Sequence, residues 1–133
     1  MILKTKRSIR WVRLRKKKYA GIHLIAEFWG AKEIESTAET KKILIGAANN
    51  SGSYPLKVST FKFNPRGITG VVLLAESHIS IHSWPEYNYL AIDIFTCGDK
   101  AKPLKALEYL KEQYNPKKIE LKEIIRGVVH NKK

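Results

Sequence analysis

The sequence predicts an α+β fold, a two-layer sandwich with a mainly antiparallel sheet and two helices on one face. Short segments alternate in hydropathy, as strands with one strongly buried face do. Two other segments carry apolar residues at helical spacing, with start and stop signals at their ends. The order is one strand, one helix, a run of antiparallel strands, a second helix and a last strand, which leaves the far sheet face to be covered by something else.

Each element has its own warrant. In residues 22–28, Ile22, Leu24, Ala26 and Phe28 alternate with His23, Ile25 and Glu27, so this segment opens the fold as a strand. Ser36 followed by Glu39 resembles a capping box, and Ile43, Leu44, Ala47 and Ala48 form an apolar stripe that stops at Asn49-Asn50-Ser51-Gly52. Strands follow at 56–63 and 69–76 around the turn signal Asn64-Pro65-Arg66-Gly67. Two more, at 79–83 and 89–95, are joined by Trp84-Pro85-Glu86-Tyr87-Asn88. Leu104, Leu107, Leu110 and Tyr114 then sit at helical spacing, with Pro103 suited to the first turn and Asn115-Pro116 ending the element. Residues 118–125 read as the last strand.

Composition bounds the function. The chain has 133 residues, 44% hydrophobic, enough for a single core and too apolar for disorder throughout. One cysteine excludes an internal disulfide framework, and with four scattered histidines it fits no zinc-ribbon or finger spacing, so no metal is expected. No apolar stretch approaches the roughly 20 residues of a membrane span, and the N-terminus lacks the apolar core of a secretory signal, so a cytoplasmic protein is expected.

The formal charge of +13 first suggests nucleic acid, because a basic face releases counterions from phosphates. Its distribution weakens that reading. Residues 1–18 hold nine cations and no carboxylate, leaving 16 cations against 12 carboxylates, a net +4, for residues 19–133. The chain therefore divides into a basic N-terminal extension, 1–18, expected to be flexible, and one domain, 19–133.

Reactive side chains concentrate in Glu76-Ser77-His78-Ile79-Ser80-Ile81-His82-Ser83-Trp84-Pro85-Glu86, and the cysteine follows in Phe95-Thr96-Cys97-Gly98. Ser and Cys become nucleophiles when a base stands beside them. Taken singly, these residues also fit the polar face of a strand and a small buried thiol. A hairpin centred near Glu86 sets Cys97 across from Ala75, close to the Glu76–Ser77 peptide. His82 fits less well, because five residues of straight strand span roughly 16 Å and reverse the side-chain face. A bend, a bulge or a side chain from elsewhere has to intervene for Ser77 and His82 to cooperate.

At this window the chain resembles the prokaryotic S-adenosylmethionine decarboxylase proenzymes, which are pyruvoyl-dependent. The resemblance rests on Glu-Ser-His-x-x-x-His-x-Trp-Pro-Glu at 76–86, Phe-Thr-Cys-Gly at 95–98, the opening strand, and the stretch 63–70 with Pro65, Gly67 and Thr69. It implies self-processing between Glu76 and Ser77 into a β chain, 1–76, and an α chain, 77–133, that begins with a pyruvoyl group made from Ser77. That group would take the substrate amine as a Schiff base and act as electron sink for decarboxylation in spermidine biosynthesis. The resemblance further implies that His82 is the acid or base of processing, that Cys97 is the proton donor in turnover, and that Phe63, Thr69 and Glu86 meet the substrate. For Phe63 the alternative is core packing, and for Trp84 packing is the favoured role.

A pyruvoyl-dependent arginine decarboxylase keeps the same chemistry with another pocket, and a nucleic-acid-binding module using residues 1–18 is the competing reading from a different class. A homodimer of processed chains is expected from the resemblance and from the uncovered sheet face.

Overall fold

The structure, a computed structural model, describes residues 2–6, 18–97 and 101–129. Among these residues seven strands and two helices follow one another as β1 (Ile2–Lys6), β2 (Lys18–Trp29), α1 (Thr37–Asn50), β3 (Pro55–Lys62), β4 (Ile68–Leu74), β5 (His78–Trp84), β6 (Tyr89–Thr96), α2 (Pro103–Tyr114) and β7 (Lys118–Val129). A single turn of 3-10 helix, Pro85–Tyr87, joins β5 to β6. The strands lie in the order β1-β7-β2-β6-β5-β4-β3, and every pair is antiparallel except β1 with β7.

The expected α+β sandwich is the observed fold, with longer outer strands. Residues 2–6, expected within a flexible extension, instead form β1, which pairs along the open edge of β7 from Ile2↔Lys118 to Lys6↔Lys122. Lys18 already belongs to β2, and residues 7–17, with most of the basic cluster, lie outside the described residues.

One face of the sheet is apolar because the strands alternate faithfully. Leu24 and Phe28 of β2, Val72 of β4, Ile79 and Ile81 of β5, and Ile92 and Ile94 of β6 are buried against the helices. Helix α1 starts where Ser36 accepts the Glu39 backbone N–H at 3.0 Å, and Ile43, Leu44, Ala47 and Ala48 form its buried stripe. It seats on β4 because Gly70 carries no side chain: a Cβ there would stand 2.8 Å from Leu44 Cδ1.

Helix α2 opens with Pro103 in its first turn and ends at Asn115, held in the left-handed region with φ of 42°. Its buried face differs slightly from the expected stripe. Leu104 is exposed and Ala106 takes the inner position beside Leu107, Leu110 and Tyr114. The backbone N–H of Lys102 donates to the Ser51 carbonyl at 2.8 Å, linking the end of α1 to the start of α2. No helix among the described residues is long and apolar enough to cross a membrane.

Both helices lie on the same face, so among the described residues no element covers the other face of β2, β4, β5 and β6. That face mixes Trp29, Leu73, Trp84, Tyr89 and Phe95 with ionisable groups. Core packing is expected to dominate stability: Leu44→Ala should lower the unfolding free energy by about 2–5 kcal/mol, and Ser36→Ala by about 1 kcal/mol. Urea unfolding followed by circular dichroism checks both.

Candidate functional site

The β4–β5 connection is a two-residue turn. The Leu74 N–H donates to the Ser77 carbonyl at 2.9 Å and the Ser77 N–H to the Leu74 carbonyl at 3.5 Å, leaving Ala75 and Glu76 as the turn residues. Neither has a positive φ, so this is none of the primed turns whose twist matches the flanking strands. The Glu76–Ser77 peptide thus stands at an open end of the sheet, with Glu76 exposed and Ser77 half-buried.

Cys97 reaches this peptide from the end of β6. The β5–β6 pairing, Trp84↔Tyr89 through His78↔Phe95, lies one residue away from the expected register, because Trp84 joins the ladder and four residues, not the five of Trp84–Asn88, separate the paired strands. Continued by two positions, it sets Cys97 across from Glu76 and not Ala75. The sulfur lies 3.6 Å from the Glu76 carbonyl oxygen and 3.3 Å from its carboxylate Oε1. Burial pushes the Cys97 thiol up, and the Glu76 carboxylate adds to this, while a hydrogen bond with Ser77 opposes them. The net shift is upward, so the sulfur stays protonated at neutral pH and is ionised only above an already high thiol range.

Gly21 makes room for this arrangement. A Cβ at Gly21 would stand 3.3 Å from the Cys97 Cβ and 3.0 Å from the Phe95 ring, and would collide with the Thr96 carbonyl. Its signal in the sequence was a glycine placed at the head of an otherwise unbroken strand.

Thr69 and His82 form a second group. They are paired across β4 and β5, and Thr69 Oγ1 shares a 3.0 Å hydrogen bond with His82 Nδ1. Strand β5 pairs without a bulge with β4 over His78–His82 and with β6 over His78–Trp84. The five residues from Ser77 to His82 therefore cover about 16 Å, and neither a bend nor a bulge brings the two together within one chain.

Phe63 and Glu86 lie farther along the same direction, at the loop end of β5 and β6. The Phe63 N–H donates to the Gly67 carbonyl at 2.8 Å, closing the β3–β4 turn. Phe63 is 48% exposed and meets Phe61 edge-on at 4.9 Å, which removes core packing as its role. Trp84 does pack, stacked on Tyr89 at 5.5 Å, but keeps 41% of its surface open.

The turn is clamped by two carboxylates that the sequence reading did not single out. Glu33 takes two hydrogen bonds from Arg66, at 2.8 and 3.2 Å. Glu35 accepts the Lys62 ammonium at 2.9 Å and the Gly67 N–H at 3.2 Å. Partial burial raises Glu35, but Lys62 and the Gly67 N–H outweigh it and hold this carboxyl below its ordinary value. A small cleft nearby is lined by Glu33, Glu35, Ser83, Pro85 and Asn88, and none of Ser77, His82 and Cys97 borders it.

Between the two groups, His23 Nε2 lies 3.1 Å from Asp93 Oδ1, and Ser80 donates to the other Asp93 oxygen at 3.4 Å. His23, His78 and Arg126 surround Phe95, with the guanidinium 4.8 Å from the ring centroid. These contacts, too, depend on strands distant in sequence.

A two-layer α+β chain that carries its reactive groups on the sheet face opposite the helices is the class that fold and site define. Residues 22–127 match the family model described as S-adenosylmethionine decarboxylase. A relative from Sulfurihydrogenibium, named S-adenosylmethionine decarboxylase proenzyme, is 45% identical over 114 residues, covering 84% of this chain and 86% of the relative. One of the same name from Methanococcus maripaludis is 40% identical over 84% of this chain and 93% of its own length. The crystal structure of the adenosylmethionine decarboxylase from Aquifex aeolicus superposes with a TM-score of 0.80 at 36% identity, covering 87% of this chain and 98% of that one. The chain belongs to the S-adenosylmethionine decarboxylase family.

The close approach at Gly21 gives a direct check of the site's packing. Gly21→Ala is expected to destabilise the fold by about 1–3 kcal/mol, measured by urea unfolding, because the nearest obstruction is backbone that a rotamer change does not clear.

Proposed function

We propose that this chain is a self-processing, pyruvoyl-dependent S-adenosylmethionine decarboxylase of spermidine biosynthesis, cleaved between Glu76 and Ser77. The observation that carries this reading is the convergence of Ser77 and the Cys97 thiol on the Glu76 carbonyl, in a chain of a family whose relatives are named proenzymes.

The residues fit the group they would generate. The Ser77 hydroxyl is linked to the preceding carbonyl carbon through only its own Cβ, Cα and N, so attack closes a five-membered ring, and the sulfur 3.6 Å from the carbonyl oxygen can donate to the developing oxyanion. Collapse breaks the amide C–N bond and leaves Glu76 as an ester of Ser77. Loss of the Ser77 Cα proton then breaks the Cβ–Oγ bond, releasing Glu76 as a carboxylate, and water replaces the nitrogen, which leaves as ammonia. The resulting pyruvoyl group supplies a ketone carbonyl able to accept an amine and to take up the electrons freed by loss of CO₂. In turnover the protonated Cys97 thiol stands ready to return a proton.

His82 serves as the acid or base of processing, its ring held by Thr69. Straight β5 denies it access to Ser77 of its own chain, so a second copy has to bring it. Two chains packed by their uncovered sheet faces, strands running in opposite directions, would set the Ser77–Cys97 end of each against the Thr69–His82 group of the other. The exposed Trp29, Leu73 and Trp84 give that face the apolar surface such a homodimer needs. The same partner would bring Phe63, whose open ring face attracts a sulfonium, and the exposed carboxylate of Glu86.

Purified protein should run as two fragments split between Glu76 and Ser77, and Ser77→Ala should remain one chain by mass spectrometry; an uncleaved wild-type chain after prolonged incubation would sink the reading. Sharing of sites has a sharper test. Ser77→Ala and His82→Ala chains should each stay intact alone, whereas co-expression should cleave the His82→Ala chain, because a mixed dimer holds one complete site. No cleavage in the mixture would place His82 outside a shared site. Parallel assays of CO₂ release from S-adenosylmethionine and from arginine should show turnover of the first; release from arginine alone would overturn the substrate assignment.

A further inference from the structure

We infer that the side-chain carboxylate of Glu76 keeps Cys97 in its protonated form, and that chain cleavage strengthens this hold, so that processing arms its own proton donor. The inference rests on the processing reading above and adds a positioning role for a residue that the reading uses only as a cleavage point.

The geometry has two parts. Glu76 presents two oxygens to the same sulfur, the carboxylate Oε1 at 3.3 Å and the backbone carbonyl at 3.6 Å. In the uncleaved chain only the first carries charge. A negative charge at this distance favours the neutral thiol over the thiolate, because ionising the sulfur would set two anions side by side. Burial of the thiol acts in the same direction.

Cleavage changes the second oxygen. When the Cβ–Oγ bond of Ser77 breaks and the Cα proton leaves, the electron pair stays with the oxygen that becomes part of the Glu76 carboxylate. A neutral carbonyl beside the sulfur is thereby replaced by a terminal anion, and the Ser77 hydroxyl, whose hydrogen bond favours the thiolate, disappears. Both changes push the proton onto Cys97. Opposing them at this end of the uncovered face are the ionisable groups around Phe95: His78 on β5, His23 on β2 with its Asp93 partner, and Arg126 on β7. Cationic forms of these would favour a thiolate, so an acidic partner at the sulfur is what a proton donor in this setting requires. Before processing a modestly held thiol suffices, and afterwards the donor is fixed in the form that decarboxylation needs.

The test uses the fact that Cys97 is the single cysteine of the chain. Its alkylation by iodoacetamide, followed by mass spectrometry across pH, reports the thiolate fraction. In the unprocessed background, Ser77→Ala is compared with the Ser77→Ala, Glu76→Gln double variant. The double variant should titrate about one pH unit lower, so that at a pH below both midpoints it is alkylated about tenfold faster. Adding Glu76→Asp instead should keep most of the upward shift. Processed wild-type protein should titrate above Ser77→Ala, which lacks the Ser77 hydroxyl just as the processed chain does and so isolates the new carboxylate.

Equal midpoints for Ser77→Ala and its Glu76→Gln partner would remove the carboxylate's role. Equal midpoints for processed wild type and Ser77→Ala would remove the arming step. A wild-type chain that stays intact overturns the self-processing reading and the arming step together, while the unprocessed pair still decides what the carboxylate does.

Discussion

Strand β5, hydrogen-bonded without interruption to β4 on one side and β6 on the other, is the constraint on which the rest of the site depends. A continuous antiparallel ladder fixes both rise and side-chain direction for every residue in it. It sets Cys97 against Glu76 at one end, Thr69 against His82 farther along, and the Phe63 and Glu86 loops at the other end. Because the strand does not bulge, these groups cannot collapse into one pocket within a single chain. The same rigidity that aligns each half of the site keeps the halves apart, which is why a partner of the same chain completes the chemistry in the proposed mechanism.

That rigidity comes from a core built on one side only. The buried residues of β2, β4, β5 and β6 and the inner stripes of α1 and α2 fill the space between the layers, so burial energy is concentrated where no chemistry occurs. The opposite face is free to carry histidines, carboxylates, a thiol and open aromatic rings. Groups on such a face have charges that are only partly screened, so the Glu76 carboxylate acts on the Cys97 thiol 3.3 Å away. A further aromatic row, Trp29 on Tyr89 on Trp84, runs along the same face, anchored where Tyr89 donates to Glu27 and Trp29 to Glu120.

The elements were legible because their signals are local. Alternation in residues 22–28 and the Ser36 and Glu39 pair are physical consequences of one strand face and one helix end, and both recur in the structure. Boundaries were less so. Leu104 looked like part of a buried stripe from spacing alone, but the helix turns Ala106 inward, because what is buried depends on where α1 and the sheet lie. Strand β1 was illegible for a stronger reason: a run rich in cations gives no alternation, and its pairing is supplied by the edge of β7. In the site, motif spacing brought Ser77, His82 and Cys97 to notice. The Glu33 and Glu35 clamp on the β3–β4 turn escaped it, since a charged residue in a loop announces no partner thirty residues away.

By itself, then, the sequence determined the fold class, the element order from β2 onward, the membership suggested by the 76–86 and 95–98 motifs, and the peptide at which the chain is proposed to divide. These follow from hydropathy period, caps and motif order, which act over a few residues. Only the tertiary structure decided which side chains meet. The register of β6 on β5 differs by one residue from that expected, and this one step moves Cys97 from Ala75 to the Glu76 carboxylate. Pairing register is a property of two strands and the turn between them, set by how the sheet packs on the helices, and no single segment encodes it.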